Sequence, residues 1–270
     1  MLSPSKWKRF FSPRSAHAAD PNAPALISLT FDDGLRCHFE RALPILDRHG
    51  LVATFFLVAN TDPIFSDGFP HPDWSKTDWN GDDIRLFMDM MRRGHEIGAH
   101  SVHHKHPFLD DNPEFEAVES KRFIEERLNT TVSSYCYPFC HYTRPIGKAV
   151  RKAGFTQARW GAHDSYYPLG SSLDDFKVDC RHIGKLSSEA VNGHSVGKDG
   201  CEDVGSWLRP GLLHILMYHG IGGIDEGWWP ISVAEFEREM AELAKYRDAG
   251  RVEVVTFVAA MQRLRGASRE

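Results

Sequence analysis

Apolar residues along this chain fall into short runs, and the runs alternate with segments in which apolar positions recur every three to four residues. Eight runs predict strands at 25–30, 52–59, 96–99, 134–137, 155–159, 177–180, 212–218 and 252–257, the sixth being the weakest. The clearest helix between them carries Ile84, Phe87, Met88 and Met91 on one face, with Asp82 or Asp83 as the N-cap candidate and Gly94 where a C′ glycine belongs. A second places Ile146, Ala149, Val150 and Ala153 together between Pro145 and Gly154. A third starts at Asp111-Asn112-Pro113 and aligns Ala117, Ile124 and Leu128, and two more are expected at 233–246 and 258–264. Seven or eight strands, each followed by a helix or long loop, predict an α/β fold with a mostly parallel barrel or open sheet. Function is then expected just beyond the strands' C-terminal ends. Connections 60–80 and 183–210 are long enough to form lids or binding surfaces, and the first carries Trp74 and Trp79.

Composition narrows the class without choosing a chemistry. With 270 residues, 41% apolar and 26% charged, the chain is neither collagen-like, coiled-coil nor disordered. Its strongest apolar run, 53–59, is strand length, so no integral membrane segment is expected. A net charge of −5 offers no basic face to nucleic acid. Lys6, Lys8, Arg9 and Arg14 make the first residues basic and acid-free, which predicts a flexible basic tail over 1–22 and a single domain over 23–270. Ala16-His17-Ala18 has the look of a cleavage site, but Phe10-Phe11 is too short an apolar core for a signal peptide. The cytoplasm is therefore favoured, with a periplasmic or secreted location left open. Five cysteines in a long chain argue for reduced thiols, with Cys180 and Cys201 a candidate pair if the protein were exported.

Three strand ends carry candidate chemistry. Thr30-Phe31-Asp32-Asp33-Gly34 sets two carboxylates side by side, which repel unless a cation or shared proton relieves them; alone, the motif is better read as a helix cap or a solvated turn. His100 and His104, four apart, can face one metal ion, although His95, His103 and His106 lie nearby and spacing does not choose among them. The run 215–218 delivers His219, a structural residue by itself and a proton donor beside a metal and two aspartates. Cys136 and Cys140, four apart, lack the further ligands of a second metal site and are better read as buried thiols.

Taken together, Thr-Phe-Asp-Asp-Gly at 30–34, His-Ser-x-x-His at 100–104, Tyr-Pro-Phe at 137–139 and the strand ending in His219 resemble the polysaccharide deacetylases with a NodB-type domain, carbohydrate esterase family four. The resemblance implies a distorted (β/α) barrel and an acetylated saccharide substrate. It implies one divalent metal, zinc first with cobalt, nickel or iron(II) as alternatives, held by Asp33, His100 and His104. Asp32 is then the general base, His219 the general acid, and a backbone N–H near Phe139 an oxyanion donor, with N-acetyl groups preferred to O-acetyl. Tyr137, Pro138, Phe139 and Met217 are implied near the acetyl group, and Trp74, Trp79, Trp228 and Trp229 are candidates for stacking on sugar rings. The pattern departs from the family at Cys136, where members often carry an arginine that orients the base; Arg36, Arg144 and Arg181 are candidate replacements. No aspartate supporting His219 stands out among Asp164, Asp174, Asp175 and Asp179. Two alternatives are hydrolysis of another small amide, formyl or cyclic imide, and a non-catalytic carbohydrate-binding protein on a degenerate scaffold.

Overall fold

The computed structural model describes residues 19–60, 65–66, 69–70, 76–163, 165–171, 173–184, 203–223 and 227–266. Trp74, Cys201 and the first 18 residues lie outside the described residues, as do the proposed Cys180–Cys201 pair and most of the expected tail.

The first strand, β1 (Ala25–Phe31), is followed by a π-helical turn (His38–Ala42) and α1 (Leu43–His49), then β2 (Thr54–Leu57). A small antiparallel hairpin, β3 (Phe65–Ser66) and β4 (Phe69–Pro70), precedes α2 (Gly81–Arg92), β5 (Glu96–Ala99) and α3 (Pro113–Leu128). Next come β6 (Ser134–Cys136), a 3₁₀ turn (Pro138–Cys140), α4 (Arg144–Lys152) and β7 (Gln157–Arg159). The chain continues through β8 (Tyr166–Pro168), β9 (Arg181–His182), α5 (Val204–Trp207), β10 (Leu212–Tyr218), α6 (Val233–Asp248), β11 (Val252–Val254) and α7 (Phe257–Gly266).

Strands pair in the order β7-β6-β5-β2-β1-β10, all parallel, with β11 on the start of β1 and β8 antiparallel on β10. The expected strand at 177–180 is not continuous. Val178 bridges to Arg159 of β7, and three residues later β9 pairs with β10, so this short stretch touches both open edges and completes a distorted (β/α) barrel. Helix α2 is capped by Asn80, whose side chain accepts from the Asp82 and Asp83 amides, and not by either aspartate. The last strand stops at Val254 because Phe257 already opens α7.

β1, β2 and β10 are buried along their whole length, as parallel strands covered on both faces must be. Alternation sorts their side chains. Leu26, Phe56, Leu213, Ile215 and Met217 point into the barrel and pack on Phe257, Ala260, Met261 and Leu264 of α7, which plugs its lower end. Ile27, Leu29, Phe31, Phe55 and Leu216 point outward into the layer under the helices. Gly98 on β5 is required by this packing, because a Cβ there would lie 2.5 Å from the Phe56 ring. Two-residue periodicity carried one step past the strand ends leaves Asp32, His100 and His219 facing the open top of the barrel.

Candidate active site

Asp32, Asp33, His100, His104 and His219 converge in a cavity of about 480 Å³ at that top. Asp33 Oδ1 lies 3.3 Å from His100 Nε2 and 3.2 Å from His104 Nε2, and all three side chains are buried. The second Asp33 oxygen and His104 Nδ1 have no hydrogen-bond partner. His100 Nδ1 sits 2.9 Å from the Cys136 carbonyl, which can only accept, so Nδ1 donates there and Nε2 is the nitrogen turned toward Asp33. Asp33, Ser101 and His104 all adopt left-handed backbone, with φ of 74°, 62° and 51°. Such strain persists where surrounding contacts enforce it. Here the Ser101 hydroxyl accepts from the His104 amide, and Glu116 on the first turn of α3 accepts from the amides of Val102 and His103.

Those contacts also sort the histidines that spacing left open. His103 Nδ1 is bonded to Glu116, and His95 accepts from the Ala53 amide beside Asp47, so both are tied up elsewhere. His106 sits at the cavity rim, 3.3 Å from His141.

Electrostatics follow from two carboxylates in a dry place. Burial pushes Asp33 up, but His104 and His100 outweigh it and hold the carboxyl far below its usual range. Burial drives His104 down to about 4, whereas His100 is raised because its bond to Asp33 and the two carboxylate charges overcome burial. His219 is lowered by burial against the pull of Asp33 and Asp32; its Nε2 is 3.8 Å from Asp32 Oδ2 and its Nδ1 is unpartnered. His38 holds this strand end by donating from Nε2 to the His219 carbonyl at 2.7 Å.

The remaining expected residues divide. Phe139, Trp228 and Trp229 line the cavity, joined by Trp160, His141 and His163. Tyr137, Pro138 and Met217 stand behind the wall: Tyr137 packs edge-on against Tyr135 and Tyr142, Pro138 is buried, and Met217 points its sulfur at Cys140, Cys180 and Arg159 inside the barrel. Trp79 is a core residue, its indole donating to the Val58 carbonyl and packing on Phe87 and Phe123.

Arg159 is the residue sequence reasoning missed. It is wholly buried at the C-terminal end of β7 and bonds Asp32 Oδ2 through Nη2. Of the three arginines expected near the base, Arg36 pairs with Asp83 and Asp78, Arg144 is exposed on α4, and Arg181 lies over Trp207. A charged residue closing a strand otherwise read as buried was the available signal. None of the four candidate aspartates bonds His219 among the described residues: Asp174 and Asp175 pair with Arg151 and Arg265, Asp179 accepts from Ser165 and the His163 amide, and Asp164 lies outside the described residues.

The profile of the polysaccharide deacetylase family matches residues 19–158, and the chain belongs to that family. A peptidoglycan-N-acetylglucosamine deacetylase of Bacillus cereus is 23% identical over 194 residues, covering 70% of this chain and 81% of the relative. The Bacillus subtilis protein YxkH is 23% identical over 131 residues, 48% of this chain, and the match spans only 42% of YxkH. A family 4 acetyl xylan esterase from Clostridium thermocellum, solved with a cobalt ion, superimposes with a TM-score of 0.50 at 18% identity, covering 88% of this chain and 90% of its own.

Proposed function

We propose that the chain is a metal-dependent hydrolase that removes acetyl groups, N-acetyl before O-acetyl, from a saccharide bound in the cavity above Asp33. The observation that carries this is the placement of Asp33 Oδ1 at 3.2–3.3 Å from both imidazole Nε2 atoms. Donor atoms about 3.3 Å apart are the edge of a tetrahedron with bonds of about 2.0 Å, the geometry of a zinc-type site, and one carboxylate with two neutral imidazoles is a fitting donor set. Asp33, His100 and His104 would hold the ion. Bound there, a divalent cation lowers the pKa of water and polarises an acyl oxygen.

The chain's own residues supply the proton traffic. Asp32 is kept ionised, since Arg159, His100 and His219 outweigh the effect of its burial, and it accepts the proton of the attacking water. As the new C–O bond forms, the Phe139 amide donates to the acyl oxygen. The proton taken by Asp32 is relayed through His219, whose ring stands 3.8 Å from that carboxylate, to the sugar nitrogen as the C–N bond breaks, releasing acetate and the free amine. Phe139, Trp160, Trp228 and Trp229 offer ring faces to the apolar faces of sugar rings. The N-acetyl preference is supported by the name of the Bacillus cereus relative.

The test is acetate release from acetylated chito-oligosaccharides and acetylated xylan, alongside formate release from formyl amides and ring opening of cyclic imides, each with zinc, with chelator, and with Asp32→Asn. Release from the chito-oligosaccharides that chelation and Asp32→Asn both abolish supports the reading. Turnover confined to the formyl or imide substrates overturns it, and tight sugar binding without turnover or metal identifies a binding protein.

A further inference from the structure

The geometry points to Arg159 as the positioning residue of Asp32: it holds one carboxylate oxygen and leaves the other free to take a proton. This rests on the proposed role of Asp32 as base. Oδ2 is engaged by Arg159 Nη2, with Cys136 Sγ at 3.5 Å and His219 Nε2 at 3.8 Å, whereas Oδ1 is buried with no partner.

The guanidinium is arranged to serve that single oxygen. Its other contacts are the sulfurs of Cys136, Cys140, Cys180 and Met217, and the Cys180 thiol is itself directed to the Gly161 carbonyl. Thioether and thiol sulfurs are weak acceptors that carry no charge. Burial pushes Cys136 and Cys180 well above the ordinary thiol range, so both stay neutral beside the cation. Among the described residues Asp32 is the one carboxylate paired with Arg159, so the cation cannot swing to a competing anion. The Phe56 ring lies 5.5 Å away and closes the barrel side.

Register explains the cysteine. Cys136 and Arg159 are direct neighbours on the parallel strands β6 and β7, and their side chains share the inner face. Neighbouring strands are about 4.8 Å apart, a span that an arginine side chain covers from either position. At this level of the inner face the chain carries its guanidinium on β7, with a thiol opposite on β6. Exchanging the two residues, Cys136→Arg with Arg159→Cys, therefore moves the cation one strand over while conserving composition and volume.

The experiment compares the full chain with Arg159→Met, Arg159→Lys and the exchanged double variant, reading kcat and KM for acetate release, bound metal, and the Asp32 side-chain orientation in crystals. Arg159→Met is expected to keep its metal and a KM within about threefold of the parent while kcat falls about 100-fold, the cost of a misplaced group. The exchange is expected to recover at least about tenfold of that loss with Oδ2 again held. A merely structural cation would change stability but not kcat in the folded, metal-loaded fraction. A kcat for Arg159→Met within about threefold of the parent, or a folded exchange variant as slow as Arg159→Met, overturns the assignment. Should Arg159→Met fail to fold, Arg159→Lys is read against the exchange in its place. An inactive parent would defeat the proposed function and not this inference, which the crystals decide: Asp32 turned in the single variant and restored in the exchange supports it, and an unmoved Asp32 contradicts it.

Discussion

His38 couples the stability of this fold to pH through the strand end that carries His219. It is fully buried, and burial drives its imidazole from 6.5 down to about 4 against the opposing pull of the His219 carbonyl, Asp33 and Asp32. A histidine with a lowered folded-state pKa stabilises the fold fully above its unfolded value of 6.5, and that contribution is lost as the pH falls from 6.5 toward 4. At about 1.36 kcal/mol per pKa unit the whole effect is about 3.4 kcal/mol, of which about 2 kcal/mol is lost between about pH 7.5 and about pH 5. His38→Gln keeps an amide donor for the His219 carbonyl and removes the titration. Urea unfolding of parent and variant in chelator at both pH values isolates the residue, because other buried histidines contribute equally to both. The parent should lose about 2 kcal/mol more than the variant on acidification. Parallel losses in the two proteins would refute the assignment of that titration to His38.

Two further substitutions probe the barrel and the cavity wall. Gly98→Ala drives a methyl group against Phe56 with the Ser134 carbonyl 3.2 Å behind it, and denaturant unfolding should show a loss of about 1–3 kcal/mol. Trp228→Ala should raise KM about tenfold for an acetylated oligosaccharide and much less for a monosaccharide, with kcat little changed; equal effects on both would place the indole outside the sugar path.

Much of this was legible along the chain because the barrel's periodicities are local. β5 and β10 fall where the apolar runs at 96–99 and 212–218 predict them, and Pro113 and Pro145 open α3 and α4 behind the caps of Asn112 and Thr143. The stretch 177–183 was less legible, because its bonds go to two different strands and neither partner imposes a run. The segment 38–49 carries no clean helical stripe and was not predicted; it begins as a π-turn that buries His38 and Phe39 together. Asp32, Asp33, His100 and His104 were singled out by their motifs taken together and by the family resemblance, since histidine spacing alone did not choose among five. Arg159 was not singled out, because its partner Asp32 is 127 positions away and only the β6–β7 register reveals that it faces the base. Trp79 looked like a loop aromatic until its indole was seen bonded to Val58 in the core.

We propose above that Asp33, His100 and His104 hold one divalent ion on which acetyl removal depends. The direct measurement is a titration of chelator-stripped protein with zinc, following bound metal and acetate release from an acetylated chito-oligosaccharide in the same samples, with Asp33→Ala as control. Both signals should rise together and break at about one equivalent, and Asp33→Ala should show neither, if these three side chains form that site. Acetate release that is undiminished in stripped protein, or metal bound equally by Asp33→Ala, would contradict it.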